Sequence, residues 1–162
     1  MDKDFLNIIR EIADVLTSRG LRLSVAESCT GGFISNAITD FPGSSKFFQL
    51  GVVSYSEESK KSVLGISASL MNKHGMVSEE TASAMAEGVR KLGCSDVSLS
   101  VTGVAGPESM EGREPGLVYM AVSVKEHLES MGMKLEGGRE DIKRQASLEA
   151  LKFLRRVLDI WT

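Results

Sequence analysis

Strand-like and helix-like apolar patterns alternate along most of this chain, and this alternation restricts the folds that it can adopt. The first helical pattern covers 5–16, where apolar residues recur at helical spacing. Strands are predicted at 21–26, 47–55, 96–101, 117–124 and 131–135. Further helices are predicted at 33–38, 57–64, 78–92 and 140–161, with a short one after Ser67. Alternation of this kind predicts an α/β fold, a three-layer α/β/α sandwich.

The last two predicted strands are joined without an intervening helix. Strands connected in this way run in opposite directions, whereas strands joined by crossover helices run in parallel. We therefore predict a mixed sheet of about five strands, in which one strand runs antiparallel to the others.

Size and composition favour one globular domain that covers residues 1–162. Hydrophobic residues make up 42% of the chain and charged residues 25%, close to the averages of globular proteins. No apolar run approaches the roughly 20 residues that a membrane-spanning helix needs, so we expect no membrane partner. The formal net charge is -3 with scattered lysines and arginines, which argues against a nucleic acid partner.

The N-terminus and the cysteines indicate the compartment. After Met1-Asp2-Lys3-Asp4 the chain enters an amphipathic pattern directly, without the basic start and apolar stretch of a secretion signal. The only cysteines, Cys29 and Cys94, are too few for a disulfide framework, so we expect reduced thiols. Both observations predict a cytoplasmic location.

The turn Glu27-Ser28-Cys29-Thr30-Gly31-Gly32 is the first candidate for chemistry. It joins a predicted strand to a predicted helix and carries two hydroxyls and a thiol. Backbone N–H groups at the start of a helix can bind an anion or stabilise an oxyanion. The alternative is an ordinary strand-to-helix turn in which Thr30 caps the helix.

A second glycine-bearing loop, Thr102-Gly103-Val104-Ala105-Gly106-Pro107, follows the third predicted strand. Because the carboxyl ends of parallel strands meet at one edge of a sheet, we expect both loops to face a common crevice, the usual ligand site in open α/β sheets. The polar stretch 108–115 has no apolar period and is predicted to be a surface loop or a lid.

The histidines are poorly placed for zinc binding or for a Ser-His-Asp triad. His74 and His127 are the only two, and neither has a second ligand at metal-binding spacing, so we predict no metal site. A serine can instead be activated by an uncharged lysine in a partly buried cleft. Lys60 is the leading candidate, because it lies early in the helix after Tyr55 and both can project towards Ser28.

Each of these candidates has a structural alternative. Lys60 can be a solvated helix charge beside Lys61, and Tyr55 can be an aromatic that closes a strand. Cys29 is a competing nucleophile, because a helix N-terminus lowers the pKa of a thiol. Its side chain is expected to point away from those of its neighbours, which favours a place in the core.

Four motifs in order resemble one known family. They are Ala26-Glu27-Ser28-Cys29-Thr30-Gly31-Gly32, Pro42-Gly43-Ser44-Ser45, Val53-Ser54-Tyr55-Ser56 with Lys60 and Leu64-Gly65, and Thr102-Gly103-Val104-Ala105-Gly106-Pro107. In this order and at these separations they resemble the C-terminal domain of the CinA (competence/damage-inducible) proteins and the stand-alone nicotinamide-nucleotide amidohydrolases. The likeness covers nearly the whole chain, from the first helix to the last.

The resemblance implies an amidohydrolase that converts nicotinamide mononucleotide to nicotinic acid mononucleotide and ammonia, in pyridine nucleotide salvage. It also implies an α/β/α sandwich with a five-stranded mixed sheet, a homodimer, and no metal or organic cofactor. Carried over by position, the family's nucleophile is Ser28, its general base is Lys60 and its assisting residue is Tyr55.

Candidates for substrate binding come from the same motifs and from the basic residues. Ser45 is implied as a further hydroxyl of the site, and backbone N–H groups around Cys29 to Gly32 are expected to hold the oxyanion. The loop from Thr102 to Gly106, Arg139 and Arg144 are candidates for the phosphate. The predicted substrate-binding residues are therefore Ser45, Thr30, Gly31, Gly32, Thr102, Gly103, Gly106, Arg139 and Arg144.

Two segments depart from the family's pattern. Residues 108–116 replace its acidic, glycine-rich loop, and Gly138 stands where relatives carry an aspartate before the last helix. A non-catalytic nucleotide-binding domain with altered loops is therefore the alternative function, and a cysteine amidase that uses Cys29 is a third. The separate N-terminal domain of full-length CinA proteins is not matched, so its activities do not transfer.

Overall fold

A sheet of five strands forms the centre of the molecule. The computed structural model describes residues 2–162. The strands are β1 (Leu23–Glu27), β2 (Phe48–Val53), β3 (Val97–Gly103), β4 (Leu117–Val124) and β5 (His127–Lys134). The helices are α1 (Lys3–Ser18), α2 (Phe33–Thr39), α3 (Glu57–Leu64), α4 (Ala68–His74), α5 (Glu79–Leu92) and α6 (Arg139–Trp161), with a 3₁₀ turn at Ser44–Lys46. Over the described residues, no helix has both the length and the apolar character that crossing a bilayer requires.

The order of the strands across the sheet is β2-β1-β3-β4-β5. β1 pairs in parallel with both β2 and β3. β4 pairs antiparallel with β3 on one side and with β5 on the other. The mixed sheet is therefore confirmed, and β4 is the one strand that runs against the others.

Helices cover both faces of the sheet. On one face, α1, α2 and α6 pack with β1, β3 and β4 to form the main hydrophobic core. On the other face, α5 lies close to β3, where the small side chains of Ser98 and Ser100 donate hydrogen bonds to the carbonyls of Ala86 (2.6 Å) and Ala82 (2.5 Å). α3 and α4 pack beside α5. This arrangement confirms the predicted three-layer α/β/α sandwich.

Several strand boundaries differ from the predicted ones. β5 begins at His127 rather than at 131, because its pairing with β4 extends back to the hairpin turn. Residues 127–130 lie on the edge strand, where none of them is fully buried, and they show no apolar alternation. β2 ends at Val53 rather than at 55, and β3 continues to Gly103. The longer β3 carries the chain directly to the second glycine-bearing loop.

One edge of the sheet collects the loops that matter for function. Because β1, β2 and β3 are mutually parallel, their carboxyl ends lie side by side. The turn that begins with Ser28, the connection through Ser54 to α3, and the loop that begins with Val104 all leave the sheet at this edge.

Candidate active site

The turn after β1 presents Ser28 at the carboxyl edge of the sheet. The Ser28 N–H donates to the Val101 carbonyl of β3 (3.0 Å), and the Gly31 N–H donates to the Ser28 carbonyl (3.0 Å). Gly31 and Gly32 have φ values of 63° and 94°, a conformation that residues with a side chain rarely adopt. The glycines therefore allow the tight turn that places Ser28 directly after the strand.

The buried carboxylate of Glu27 occupies the N-terminus of α2. It accepts hydrogen bonds from the Thr30 hydroxyl (2.6 Å), the N–H groups of Gly32 (3.1 Å), Ile34 (3.1 Å) and Ser35 (2.8 Å), and the Ser35 hydroxyl (2.8 Å). The positive end of the α2 dipole, which favours negative charge, is thus occupied by Glu27 and not by a ligand. The Thr30 hydroxyl and the Gly32 N–H are therefore already paired with Glu27, and of these two residues only the Thr30 N–H is left for a substrate. Thr30 is not the helix cap, since the N-cap position belongs to Gly32.

Two other backbone N–H groups of the turn are available to a ligand. Among the residues that the structure describes, no acceptor pairs with the N–H of Cys29 or of Thr30. The N–H of Gly31, in contrast, is bonded to Ser28, and that of Gly32 to Glu27. Amides directly after a nucleophile are well placed to donate to an oxyanion. The candidate oxyanion donors are therefore narrowed to Cys29 and Thr30.

Lys60 reaches Ser28 from the next loop along the sheet. α3 begins after the N-cap residue Ser56, and Lys60 lies on the buried face of this helix together with Leu64. Lys60 is only 1% exposed. Its Nζ donates to Ser28 Oγ (2.9 Å) and to the Ser54 carbonyl oxygen (2.6 Å). The alternative of a solvated helix charge is therefore wrong.

Burial acts in opposite directions on the reactivity of Lys60 and of Cys29. Loss of water contact disfavours the ammonium ion and lowers the pKa of Lys60 from 10.5 to about 8. The same effect disfavours the thiolate and raises the pKa of Cys29 to about 12. An appreciable fraction of Lys60 is thus uncharged at mildly alkaline pH, while Cys29 stays a protonated thiol. This difference favours Ser28 over Cys29 as the nucleophile.

A cavity of about 460 Å³ opens beside Ser28. It is lined by Ser28, Cys29, Tyr55, Arg139 and residues 103–110, which include the predicted Gly103 and Gly106. Arg139 is the only basic residue in this lining, and its guanidinium donates to the Gly106 carbonyl and to the Tyr55 hydroxyl (3.0 Å). Over the described residues, no three His, Cys, Asp or Glu side chains are grouped so as to hold a metal ion.

Tyr55 lies at the edge of the cavity and not between Ser28 and Lys60. It is 58% exposed, and its hydroxyl accepts the hydrogen bond from Arg139. Lys60 and Ser28 are in direct contact, so proton transfer between them requires no phenol bridge. Tyr55 is therefore a hydrogen-bond partner of Arg139 at the edge of the cavity.

Ser45 is a predicted site residue that the structure places elsewhere. It lies in the exposed 3₁₀ turn Ser44–Lys46, which leads into the amino end of β2. The whole length of β2 separates that end from the carboxyl edge that carries Ser28. Within one chain, Ser45 therefore does not lie beside Ser28.

Two further predicted residues have protein partners away from the cavity. The Arg144 guanidinium forms an ion pair with Asp2 and lies over the Phe5 ring, 5.5 Å from its centroid. Thr102 is buried, and its hydroxyl donates to the Met76 carbonyl (2.8 Å). Neither side chain lines the cavity.

Three groups beside the site were not predicted to take part. They are the Glu27 carboxylate, the Ser54 carbonyl, and the ammonium of Lys143, which lies 3.5 Å from the place that a Cβ on Gly31 would occupy. Glu27 could have been found as a carboxylate next to a helix N-terminus. Lys143 follows Arg139 by one helical turn and so shares its face of α6. The role of Ser54 depends on its main chain, which residue identity does not indicate.

The departure at Gly138 is compensated within α6. The Gly138 N–H donates to the Asp141 carboxylate (3.0 Å), so the first turn of the helix still has an acidic cap. Arg139 is oriented by Tyr55 and Gly106 and needs no aspartate at position 138.

Known proteins match this chain in sequence and in fold. The CinA C-terminal domain family matches residues 6–158. A competence-damage inducible relative from Caldanaerobacter subterraneus subsp. tengcongensis is 46% identical over 149 residues, which cover 91% of this chain and 36% of that protein. The CinA-like protein of Syntrophotalea carbinolica is 41% identical over 148 residues, 91% of this chain and 36% of that protein. The chain thus spans little more than a third of the length of these relatives.

Solved structures match over almost the full length of both chains. The competence damage-inducible protein A (ComA) from Klebsiella pneumoniae has a TM-score of 0.95 and 34% identity, covering 98% of this chain and 99% of the other. The competence/damage inducible protein CihA from Agrobacterium tumefaciens has a TM-score of 0.93 and 32% identity, covering 98% of each. The chain belongs to the CinA C-terminal domain family.

Proposed function

We propose that this protein hydrolyses the carboxamide of nicotinamide mononucleotide to nicotinic acid mononucleotide and ammonia. The observation that carries the proposal is the 2.9 Å contact between Lys60 Nζ and Ser28 Oγ beside an open cavity. A serine next to a buried lysine of lowered pKa is a nucleophile with its own base. The resemblance of the four sequence motifs to those of nicotinamide-nucleotide amidohydrolases supports the choice of substrate. The proposal also includes a cytoplasmic location and a homodimer.

The first half of the proposed reaction acylates Ser28. Its Oγ attacks the carboxamide carbon while uncharged Lys60 accepts the hydroxyl proton. The N–H groups of Cys29 and Thr30 donate to the oxyanion that forms, and one such donor typically lowers the barrier by about 3–4 kcal/mol. Lys60 then returns the proton to the leaving nitrogen, the C–N bond breaks, and ammonia departs.

The second half of the proposed reaction releases the acid. Water attacks the ester carbon, Lys60 accepts a proton from it, and the bond to Ser28 breaks as Lys60 returns this proton to the serine oxygen. The Ser54 carbonyl, 2.6 Å from Lys60 Nζ, keeps the amine directed at Ser28 through both halves. No metal or organic cofactor is needed for these steps.

Arg139 is proposed to bind the substrate phosphate. Its two hydrogen-bond partners, the Tyr55 hydroxyl and the Gly106 carbonyl, are uncharged, so its positive charge is free to attract an anion. We expect Arg139→Ala to raise the KM for nicotinamide mononucleotide about 30-fold, the loss of about 2 kcal/mol, with a smaller change in kcat. Steady-state ammonia release measures both constants.

Arg144→Ala is the matched control for this substitution, because Arg144 lies on the same helix but pairs with Asp2 and Phe5. Its KM should equal that of the wild type. An unchanged KM in Arg139→Ala, or equal increases in both variants, would contradict the assignment of the phosphate to Arg139.

The test of the proposed function is ammonia release from nicotinamide mononucleotide by the wild-type chain and by Cys29→Ala. We expect the wild type to release ammonia and Cys29→Ala to retain most of that activity, because the thiol is protonated and buried. Complete loss in Cys29→Ala would favour a cysteine amidase. A wild type that binds the nucleotide without releasing ammonia would favour the non-catalytic binding domain.

A further inference from the structure

The loop that departs from the family's sequence forms part of the cavity. This segment, Glu108–Pro115, is called the wall loop here because its residues 108–110 line the same cavity as Ser28. Met110 and Arg113 exchange backbone hydrogen bonds in both directions, at 3.0 and 2.9 Å. The part of the loop that faces the cavity is thereby connected directly to the part that follows it.

Two side chains fasten the wall loop to the connection between α4 and α5. The Glu111 carboxylate accepts hydrogen bonds from the N–H groups of Met76 (2.9 Å) and Val77 (3.3 Å). The Arg113 guanidinium donates to the carbonyls of His74 (3.0 Å) and Val77. Glu111 therefore pairs with N–H groups of the connection between α4 and α5, and Arg113 pairs with carbonyl groups of the same stretch of chain.

The segment that receives Glu111 is itself held against neighbouring elements. Thr102 of β3 donates to the Met76 carbonyl (2.8 Å), and Thr81 of α5 donates to the Gly75 carbonyl (2.6 Å). Gly75 has a φ of 86°, and a Cβ there would lie 2.7 Å from Glu111 Oε2. A glycine at this position is therefore what allows the carboxylate to approach.

We propose that Glu111 is a positioning residue for substrate binding: it fixes the wall loop so that residues 108–110 fit the nucleotide part of the substrate. This inference rests on the proposed function. Glu111 is not among the residues that line the cavity, so it acts through the loop and not by touching the substrate. Its loss is accordingly expected to weaken binding more than it slows the chemical step.

The experiment compares Glu111→Ala with Glu111→Gln and with the control Glu114→Ala. Glu114 belongs to the same loop, but its exposed carboxylate forms an ion pair with Lys134 on the surface (3.4 Å). We expect Glu111→Ala to raise the KM for nicotinamide mononucleotide about fivefold, with kcat within about twofold of the wild type. Glu111→Gln keeps one acceptor oxygen and should recover part of this loss. Glu114→Ala should leave both constants unchanged.

The N–H groups of Met76 and Val77 donate to the Glu111 carboxylate, so their rates of hydrogen exchange measure whether Glu111 holds the wall loop in place. Faster exchange in Glu111→Ala with an unchanged KM, or a lower kcat at an unchanged KM, would overturn the positioning role.

If the wild type releases no ammonia, the proposed function fails. The affinity for nicotinic acid mononucleotide, measured by calorimetry, then takes the place of KM in the comparison. A fivefold weaker binding by Glu111→Ala then still supports the inference, whereas no binding by the wild type, or equal binding, overturns it.

Discussion

Ser28→Ala is expected to reduce ammonia release from nicotinamide mononucleotide by at least about 10³-fold, because no other group can form the acyl intermediate. Cys29 is not expected to replace the hydroxyl, since Lys60 contacts Ser28 Oγ directly and burial raises the pKa of the Cys29 thiol. The substitution removes one oxygen atom and leaves the turn intact, because the turn is held by main-chain bonds and by Glu27. Binding of nicotinic acid mononucleotide, measured by calorimetry, should therefore persist.

Ser45→Ala is the matched control for Ser28→Ala. It makes the same chemical change in an exposed turn at the opposite edge of the sheet, and it should leave kcat and KM unaltered. Equal activity in Ser28→Ala and in the wild type would exclude the acyl-serine route. A large loss in Ser45→Ala would show that the site extends beyond the cavity of one chain.

The proximity of Ser28 and Lys60 follows from the order of elements in the sequence. Ser28 directly follows β1, and Lys60 lies in α3, the helix that follows β2. The carboxyl ends of such parallel strands share one edge of the sheet. The burial of Lys60 was harder to predict, because α3 has few apolar residues and Lys61 beside it is exposed. The sequence gives one weak indication that Lys60 is buried. It shares a helix face with the apolar Leu64, one turn later.

Ser45 and Arg144 lie away from the cavity for different physical reasons. Ser45 is close to the other motifs in sequence, but β2 carries the chain from one edge of the sheet to the other between them. Arg144 lies five residues after Arg139 and so projects from another side of α6, whereas Lys143 lies four residues after it. Helical geometry would therefore have favoured Lys143 over Arg144. The sequence also did not indicate that the Glu27 carboxylate pairs with the Thr30 hydroxyl at the N-terminus of α2, which leaves only the main-chain N–H of Thr30 for a ligand.

The buried lysine is costly for folding, and this cost supports a catalytic role. Holding Lys60 at a pKa of about 8 instead of 10.5 destabilises its charged form by about 3 kcal/mol, a large part of the stability of a small domain. An apolar side chain would pack there without that penalty. Such a lysine, placed against a serine hydroxyl in a cavity, is expected where function requires an amine that can lose its proton.

Lys60→Met is expected to reduce kcat/KM by about 10³-fold, because the substitution removes the base but keeps the length of the side chain. In the wild type, kcat/KM should rise with pH up to about 8 and level off above it, since Lys60 must be uncharged to accept the Ser28 proton. Below that pH, each unit should lower the rate about tenfold. Lys60→Met should lose this dependence, because no other group of the proposed reaction titrates there.

Lys61→Met is the control for Lys60→Met, because Lys61 is the exposed neighbour on the same helix and forms a surface ion pair with Glu58 (3.7 Å). It should keep both the rate and the pH profile of the wild type. A residual activity in Lys60→Met that still rises with pH up to about 8 would assign the titration to another group. In that case Lys60 would orient Ser28 through the 2.9 Å hydrogen bond without accepting its proton, and the Ser-Lys mechanism would have to be abandoned.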